Sequence, residues 1–179
     1  MSIVLLGSTS GSCTLQEQAV AGTTTLTLPT TSGTVSINGP AFSATKITTA
    51  QTISNGVATK VTFNSEDFDT DNCFASSTFT PTVAGYYIVT ACASISYSDN
   101  TGITNAVSIY KNGSQYTAAG NSLSSGTTAF FRPTVSAVIY MNGTTDYLEV
   151  YATGASSTAT ITVAAATATR FSACMLRGA

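Results

Sequence analysis

The 179-residue chain has no histidine, and only 8% of its residues are charged; a typical globular protein has about 25%. Without imidazole, Ser-His-Asp and Cys-His nucleophilic catalysis are excluded. Cys13, Cys73, Cys92 and Cys174 show no C-x-x-C spacing and have no histidine to complete a zinc site. No phosphate-cradling G-x-x-x-x-G-K-[ST] or G-x-G-x-x-G turn follows a strand. Lys46, Lys60, Lys111, Arg132, Arg170 and Arg177 are scattered, and the formal net charge is -2, so no basic stripe is available for nucleic acid. The N-terminal "MSIVLLGSTS" is too short to cross a bilayer and has no basic segment before it. It therefore reads as neither anchor nor secretory leader, and Met1 reads as the native start. Heptads and long 3.6-residue periods are missing too, which leaves helix a minor part at most.

Threonine, serine and alanine fill the space that charge leaves. Threonine is β-branched and suits a pleated surface, while serine, glycine and asparagine suit turns, so the composition predicts an all-β protein. Residues 7–35 are glycine-punctuated, with short alternating pieces such as Thr25-Leu26-Thr27-Leu28 and a break at Pro29. They offer too few large apolar side chains for a core. After Pro40 these become denser, at Phe42, Ile47, Ile53, Val57, Val61 and Phe63. The expected organisation is an extended arm at 1–40 and a head domain at 41–179.

Within the head, short strands and turns alternate at sandwich or barrel spacing. "NAVSIYKNGSQYTAA" predicts a hairpin closed by Asn112-Gly113, and "SAVIYMNGTTDYLEVYAT" predicts a second at Asn142-Gly143. Leu148 and Val150 should point inward there, with Tyr147, Glu149 and Tyr151 on the opposite face. In "FTPTVAGYYIVTACASISY", residues 79–97, parity puts Tyr87, Val89, Ala91, Ala93, Ile95 and Tyr97 on one face. The other carries Tyr86, Ile88, Thr90, Cys92, Ser94 and Ser96, with no charge. Phe171, Ala173 and Met175 oppose Ser172, Cys174 and Leu176 in the same way. Covering both faces of such strands favours an oligomer over a monomer. Cys92 and Cys174 sit in apolar stretches, where a free thiol packs as a small hydrophobe.

The order of landmarks resembles the globular head of complement C-one-q and tumour-necrosis-factor-like proteins. "AFSA" (41–44) is similar to that family's opening strand and "KVTFN" (60–64) to its second conserved strand. "DNCF" (71–74) resembles the following asparagine-containing loop, and "FTPTVAGYYIV" (79–89) the signature of Phe, Pro, Gly and Tyr. "IYKNG" (109–113), "YLEVYA" (147–152) and "FSACML" (171–176) resemble its hairpin, penultimate and closing strands. Ala173 stands where the closing strand usually has glycine, and "NGTTD" where the family usually has Gly-Asp. The resemblance implies a ten-stranded jelly-roll β-sandwich that forms compact trimers. Collagen repeats are absent from the chain, so head and arm would have to hold the trimer. The arm, "GSTSGSCTLQEQAVAGTTTLTLPTTSGTV", resembles segments near the start of bacteriophage virion proteins, including fibres and capsid decorations.

Candidate ligand residues have simpler readings. Asp67, Asp69 and Asp71 have the spacing that begins a calcium loop, but Asn72 stands in place of the required glycine and Thr78 in place of the closing glutamate. Asn112 and Asn142 satisfy the glycosylation sequon, yet both occupy predicted turns. Tyr86, Tyr87, Tyr110, Tyr116, Tyr140, Tyr147 and Tyr151 suit sheet or subunit packing better than sugar stacking. A carboxylate pair for glycoside hydrolysis would have to come from Glu66, Asp67, Asp69, Asp71, Asp99, Asp146 and Glu149, which read better as solubilising and loop-bonding groups.

Together these features predict a non-enzymatic virion structural protein without cofactor or metal. It would be a homotrimeric capsid decoration or cement protein, assembled in the host cytoplasm and carried on the capsid surface. The expected trimer interface is Tyr86, Ile88, Cys92, Tyr147, Tyr151, Cys174 and Leu176. The expected docking arm uses Ile3, Val4, Leu5, Leu6, Leu15, Leu26 and Leu28 against the major capsid protein or another virion protein. The alternative is a tail-fibre tip or adhesin that binds host-surface glycans. A glycan-cleaving enzyme, built on Asp146 or Glu149, is the third class.

Overall fold

The computed structural model describes residues 2–6, 10–16, 39–98, 101–125, 130–157 and 160–179. Its strands, in chain order, are β1 (Ser2–Leu6), β2 (Ser12–Gln16), β3 (Ala41–Lys46), β4 (Gln51–Ile53), β5 (Thr59–Lys60), β6 (Ser65–Asp69), β7 (Phe74–Ala75) and β8 (Thr78–Phe79). They continue with β9 (Gly85–Cys92), β10 (Ile95–Tyr97), β11 (Thr101–Lys111), β12 (Ser114–Ser125), β13 (Phe130–Phe131), β14 (Thr134–Met141), β15 (Leu148–Ala155), β16 (Ile161–Val163) and β17 (Ala166–Gly178). No helix occurs among the described residues.

The chain divides into two compact units, Met1–Thr34 and Val35–Ala179. The first holds the antiparallel hairpin β1–β2, with Ile3 in register with Leu15 and Val4 with Thr14. Among the arm residues singled out above, Leu6 is exposed. Ile3, Val4, Leu5 and Leu15 lie on the hairpin strands, and Leu26 and Leu28 fall outside the described residues.

The second unit is built on two facing antiparallel sheets. One runs β14-β9-β17-β3-β6; the other runs β12-β11-β15-β8-β7, with β5 also paired to β15. A smaller sheet, β13-β10-β16-β4, extends the core with Ile95, Ile161, Val163 and Ile53, all buried. Strand alternation explains what fills the middle: Tyr87, Val89 and Ala91 of β9 are sealed against Val107 and Ile109 of β11 and Leu148 and Val150 of β15, in one continuous apolar cluster. Phe42 is its aromatic hub. Its ring stacks on Phe74 and Phe79 at 4.5 and 4.6 Å between centroids and meets Phe171 edge-on at 4.8 Å, arrangements that suit the ring quadrupole.

The Asn112-Gly113 turn forms as expected. Both residues have positive φ, 53° and 77°, and Lys111 pairs with Ser114 across a two-residue loop. The second predicted hairpin does not form. β14 and β15 belong to different sheets, and the Asn142 carboxamide instead caps the connection, its Oδ1 accepting from the amides of Thr144, Thr145 and Asp146 at 2.9 to 3.0 Å. Two other expectations are also revised. Only Lys60 of "KVTFN" lies in a strand. The 85–97 segment is not one strand, because β9 ends at Cys92 and β10 joins the smaller sheet. At that break Ser94 is buried rather than outward, and its amide donates to Thr169 Oγ1 at 3.0 Å.

Candidate subunit interface

The strands that bury Ile139, Val89 and Ala173 must turn their intervening residues to the other side of the sheet. Register then aligns those residues into rows. Val138 opposes Ile88, and Ile88 opposes Cys174; one step along, Tyr140 opposes Tyr86, and Tyr86 opposes Arg177. The Tyr86 and Tyr140 ring centroids are 5.5 Å apart. The Arg177 guanidinium lies 5.5 Å from the Tyr86 centroid and the Lys111 ammonium 5.7 Å from that of Tyr140, so a cation stands over each ring, where its negative π-face attracts it. A β-bulge between Met175 and Arg177 leaves Leu176 exposed at the same end of β17.

Away from these rows the face becomes polar. Thr90 and Ser136 share a hydrogen bond of 3.1 Å, and Arg170 pairs with Asp67 at 3.0 Å while donating to Ser43 Oγ at 3.2 Å. Cys92 lies in this half, opposite Thr134 and Arg170.

The apolar half is wet in the single chain. Tyr86, Ile88, Tyr140 and Val138 are 40%, 42%, 43% and 51% exposed. Covering each would contribute roughly 1 kcal/mol, and a patch of adjoining large side chains on a sheet face marks an interaction surface. The sandwich flanks differ as well. β12 and β14 are edge strands that approach each other on one flank and carry no charged residue. The other five-stranded-sheet edge, β6, carries Glu66, Asp67 and Asp69, the charge that ordinarily blocks edge pairing.

Of the interface residues expected from the sequence, Tyr86, Ile88, Cys92, Cys174 and Leu176 therefore share one sheet face. Tyr147 and Tyr151 do not join them. They belong to the outer side of β15 and the residue before it, where the Tyr151 ring stacks on Tyr110 with centroids 4.0 Å apart. Val138 and Tyr140 lie on this face too, and the alternation of "TVSAVIYM" marks them as sharing a side.

The acids are engaged in separate places. The Asp69 carboxylate accepts from the amides of Cys73 at 3.0 Å and Phe74 at 2.7 Å, so it caps the loop that a calcium motif would occupy. Glu149 pairs with Lys60 at 2.7 Å and Asp146 with Lys111 at 2.8 Å. Asp99 lies outside the described residues. Both sequon amides are bonded, Asn112 Nδ2 to Asp146 Oδ1 at 2.8 Å and Asn142 Nδ2 to Thr145 Oγ1 at 2.8 Å. Cys73, Cys92 and Cys174 are free thiols, and Cys73 is buried in the core.

No protein-family model matches the chain, and no curated protein matches it. Solved structures do. The chain is similar to the globular domain of zebrafish complement 1qA, with 16% identity, a TM-score of 0.53, and coverage of 78% of this chain and 99% of that one. It is similar to murine APRIL at 12% identity and TM-score 0.53, covering 77% of this chain and 99% of that one. Eiger TNF from S. frugiperda matches at 10% identity and TM-score 0.57, covering 80% and 96%. The chain thus has the all-β jelly-roll sandwich of the complement C-one-q and tumour-necrosis-factor heads.

Proposed function

We propose that this chain works by adhesion, as a head that closes into a homotrimer, and that the assembly it serves is a phage shell, which it decorates and cements through residues 1–40. The observation that carries self-association is the uncharged apolar row Val138–Ile88–Cys174 beside Tyr140–Tyr86, on the same molecule as an uncharged edge flank. The face of one copy against the flank of the next is a heterologous contact, which stays finite only when the rotation closes, and three copies make a compact ring. The trimers implied by the resemblance support that number. The cement role is supported by the first unit being a separate piece with its own hairpin, β1–β2, whose strand edges could pair with a neighbour.

The test of self-association is the mass of the intact chain in solution. Three times the 18.2 kDa protomer is expected, with Ile88→Lys and Val138→Lys together giving a folded monomer. A wild-type chain that stays a stable monomer at high concentration overturns the reading. For the cement role, deleting residues 1–40 should leave trimers that no longer bind shells; trimers that still bind would refute the arm's part. A second reading, a glycan-binding tip, is favoured by the Tyr110–Tyr151 stack with Glu149 and Lys60 beside it. Glycan-array binding that disappears in Tyr151→Ala would replace the cement reading with that one.

A further inference from the structure

Lys46 ends β3, and at 2% exposure it is the one charged residue among the largest sealed side chains. A lysine enclosed this completely ordinarily faces a carboxylate. This one does not. Its Nζ donates to the main-chain oxygen and to Oγ1 of Thr62, each at 2.8 Å. The Thr62 amide and hydroxyl donate in turn to Gln51 Oε1 at 3.0 and 3.1 Å, and Gln51 Nε2 donates to Lys60 O at 2.8 Å. The nearby amide is thus already committed.

Among the described residues, the charged groups on the neighbouring elements are directed elsewhere. On β17, Arg170 is paired with Asp67 of β6. Glu66 of β6 is exposed and stands in register with Ala44, two residues back along β3. Lys60 of β5 is paired with Glu149. β4 and residues 61–64 contain no charged side chain. An ammonium has three N–H donors and finds two acceptors here among the described residues, whereas a neutral amine has two N–H donors, and both are matched.

We propose that Lys46 is a pH-sensitive fastener between β3 and residues 61–64, a sealed amine whose charge opposes folding and whose deprotonation strengthens the head. Burial alone lowers its proton affinity from the ordinary lysine value of 10.5. Below the folded value both states are protonated, and the full desolvation penalty acts. As the pH climbs from there toward 10.5 the folded chain gives up its proton first, so this contribution to stability rises; beyond 10.5 the penalty is gone. Tyr87 and Tyr97 act in the opposite sense above pH 10, so a difference between variants is the quantity to read.

The chain has three lysines, Lys46, Lys60 and Lys111, which makes direct titration practical. NMR of chain labelled at the lysine ε-carbons should show the Lys46 resonance titrating below the ordinary lysine value of 10.5. Lys60→Arg and Lys111→Arg assign the other two resonances, so the assignment does not depend on a Lys46 variant that folds. In urea, Lys46→Met should unfold several-fold less readily than wild type at neutral pH, and that advantage should shrink as the pH approaches 10. A Lys46 resonance titrating at the ordinary value of 10.5, or an advantage that does not change with pH, would overturn the proposal.

Discussion

The Asp146 carboxylate stands 2.8 Å from the Lys111 ammonium, and the contact ties the end of β11 in one sheet to the connection leaving β14 in the other. Around it the partners are complete. Asn112 Nδ2 donates to Asp146 Oδ1 at 2.8 Å, the Asn142 amide donates to Oδ2 at 3.0 Å, and Lys111 also donates to Tyr140 O at 2.7 Å. Tyr140 is thereby held by its own main chain to the cation that lies over its ring. One clamp orders both the inter-sheet loop and a rim of the candidate interface.

Asp146→Asn should lower stability by about 2 kcal/mol, because it removes the charge facing a half-buried lysine and upsets a saturated bonding set. Hydrogen bonds from Lys111 and then Asn112 hold the Asp146 carboxyl below its ordinary value of 3.8, against the opposing effect of burial. The group binds protons less readily when folded, so its contribution is fully present above 3.8 and is lost as the pH falls through the lower folded value. Urea midpoints measured from neutral to strongly acidic pH should show this acid limb in wild type and not in the variant. Matching midpoints at neutral pH would mean that the clamp does not stabilise the fold.

Gly85→Ala tests the start of β9. A Cβ there would lie 2.5 Å from Arg177 O and 3.0 Å from Met175 Cε. The first is backbone in a paired strand and cannot swing away. A loss of roughly 1–3 kcal/mol is expected, together with a shift of Arg177 off the Tyr86 ring. Thermal unfolding reads the first effect and aromatic side-chain NMR the second; an unchanged midpoint would show that β17 yields at no cost.

What could be read from the sequence follows from the range of each signal. The period of two in β9 and β17 is local, so the inward and outward assignments of Tyr87, Val89, Phe171 and Ala173 needed no knowledge of the partner strand. Parity gives a side but not a sheet. Tyr147 and Tyr151 were grouped with Tyr86 for that reason, although β15 and β9 lie in opposite sheets. The Asn142-Gly143 pair has the same local signature whether its flanking strands pair or part, and only the Asp146 clamp and the Asn142 cap show that they part. Lys46 gave no warning. "TKITTAQT" reads as a solvated strand end, and the side chain is sealed by groups from 61–64 and β17 that lie far along the chain.

Alkaline titration should single out Tyr87 and Tyr97, which lie deepest in the fold, and to a lesser degree Tyr151, raised by burial and then by Glu149 beside it. Burial pushes Tyr87 and Tyr97 up to about 12, and each hydroxyl donates to a main-chain oxygen at 2.7 Å, Val83 O and Thr104 O respectively. The folded state holds these protons longer than the unfolded chain, so their contribution is intact below pH 10 and is lost as the pH rises toward 12. Phenolate absorbance should rise in two stages, the later one coinciding with loss of β-sheet circular dichroism. A single stage near pH 10 with the fold intact would contradict the packing around both rings.

Asn105 gives the last prediction. It lies on β11 between Ile103 and Val107, in the inward phase of that strand, and is 4% exposed. Among the described residues, neither its Oδ1 nor its Nδ2 has a hydrogen-bond partner. Enclosing a carboxamide without partners costs about 1–3 kcal/mol, while valine has similar bulk, prefers strands and brings no polar atom. Asn105→Val should therefore raise stability by about 1–2 kcal/mol, and Asn105→Asp, which encloses a charge at the same place, should lower it by more than that. Equilibrium urea unfolding of the three proteins gives the order. If valine proves the less stable residue, the amide is bonded to an internal water that the substitution expels, and the position is a polar site rather than a misfit in the core.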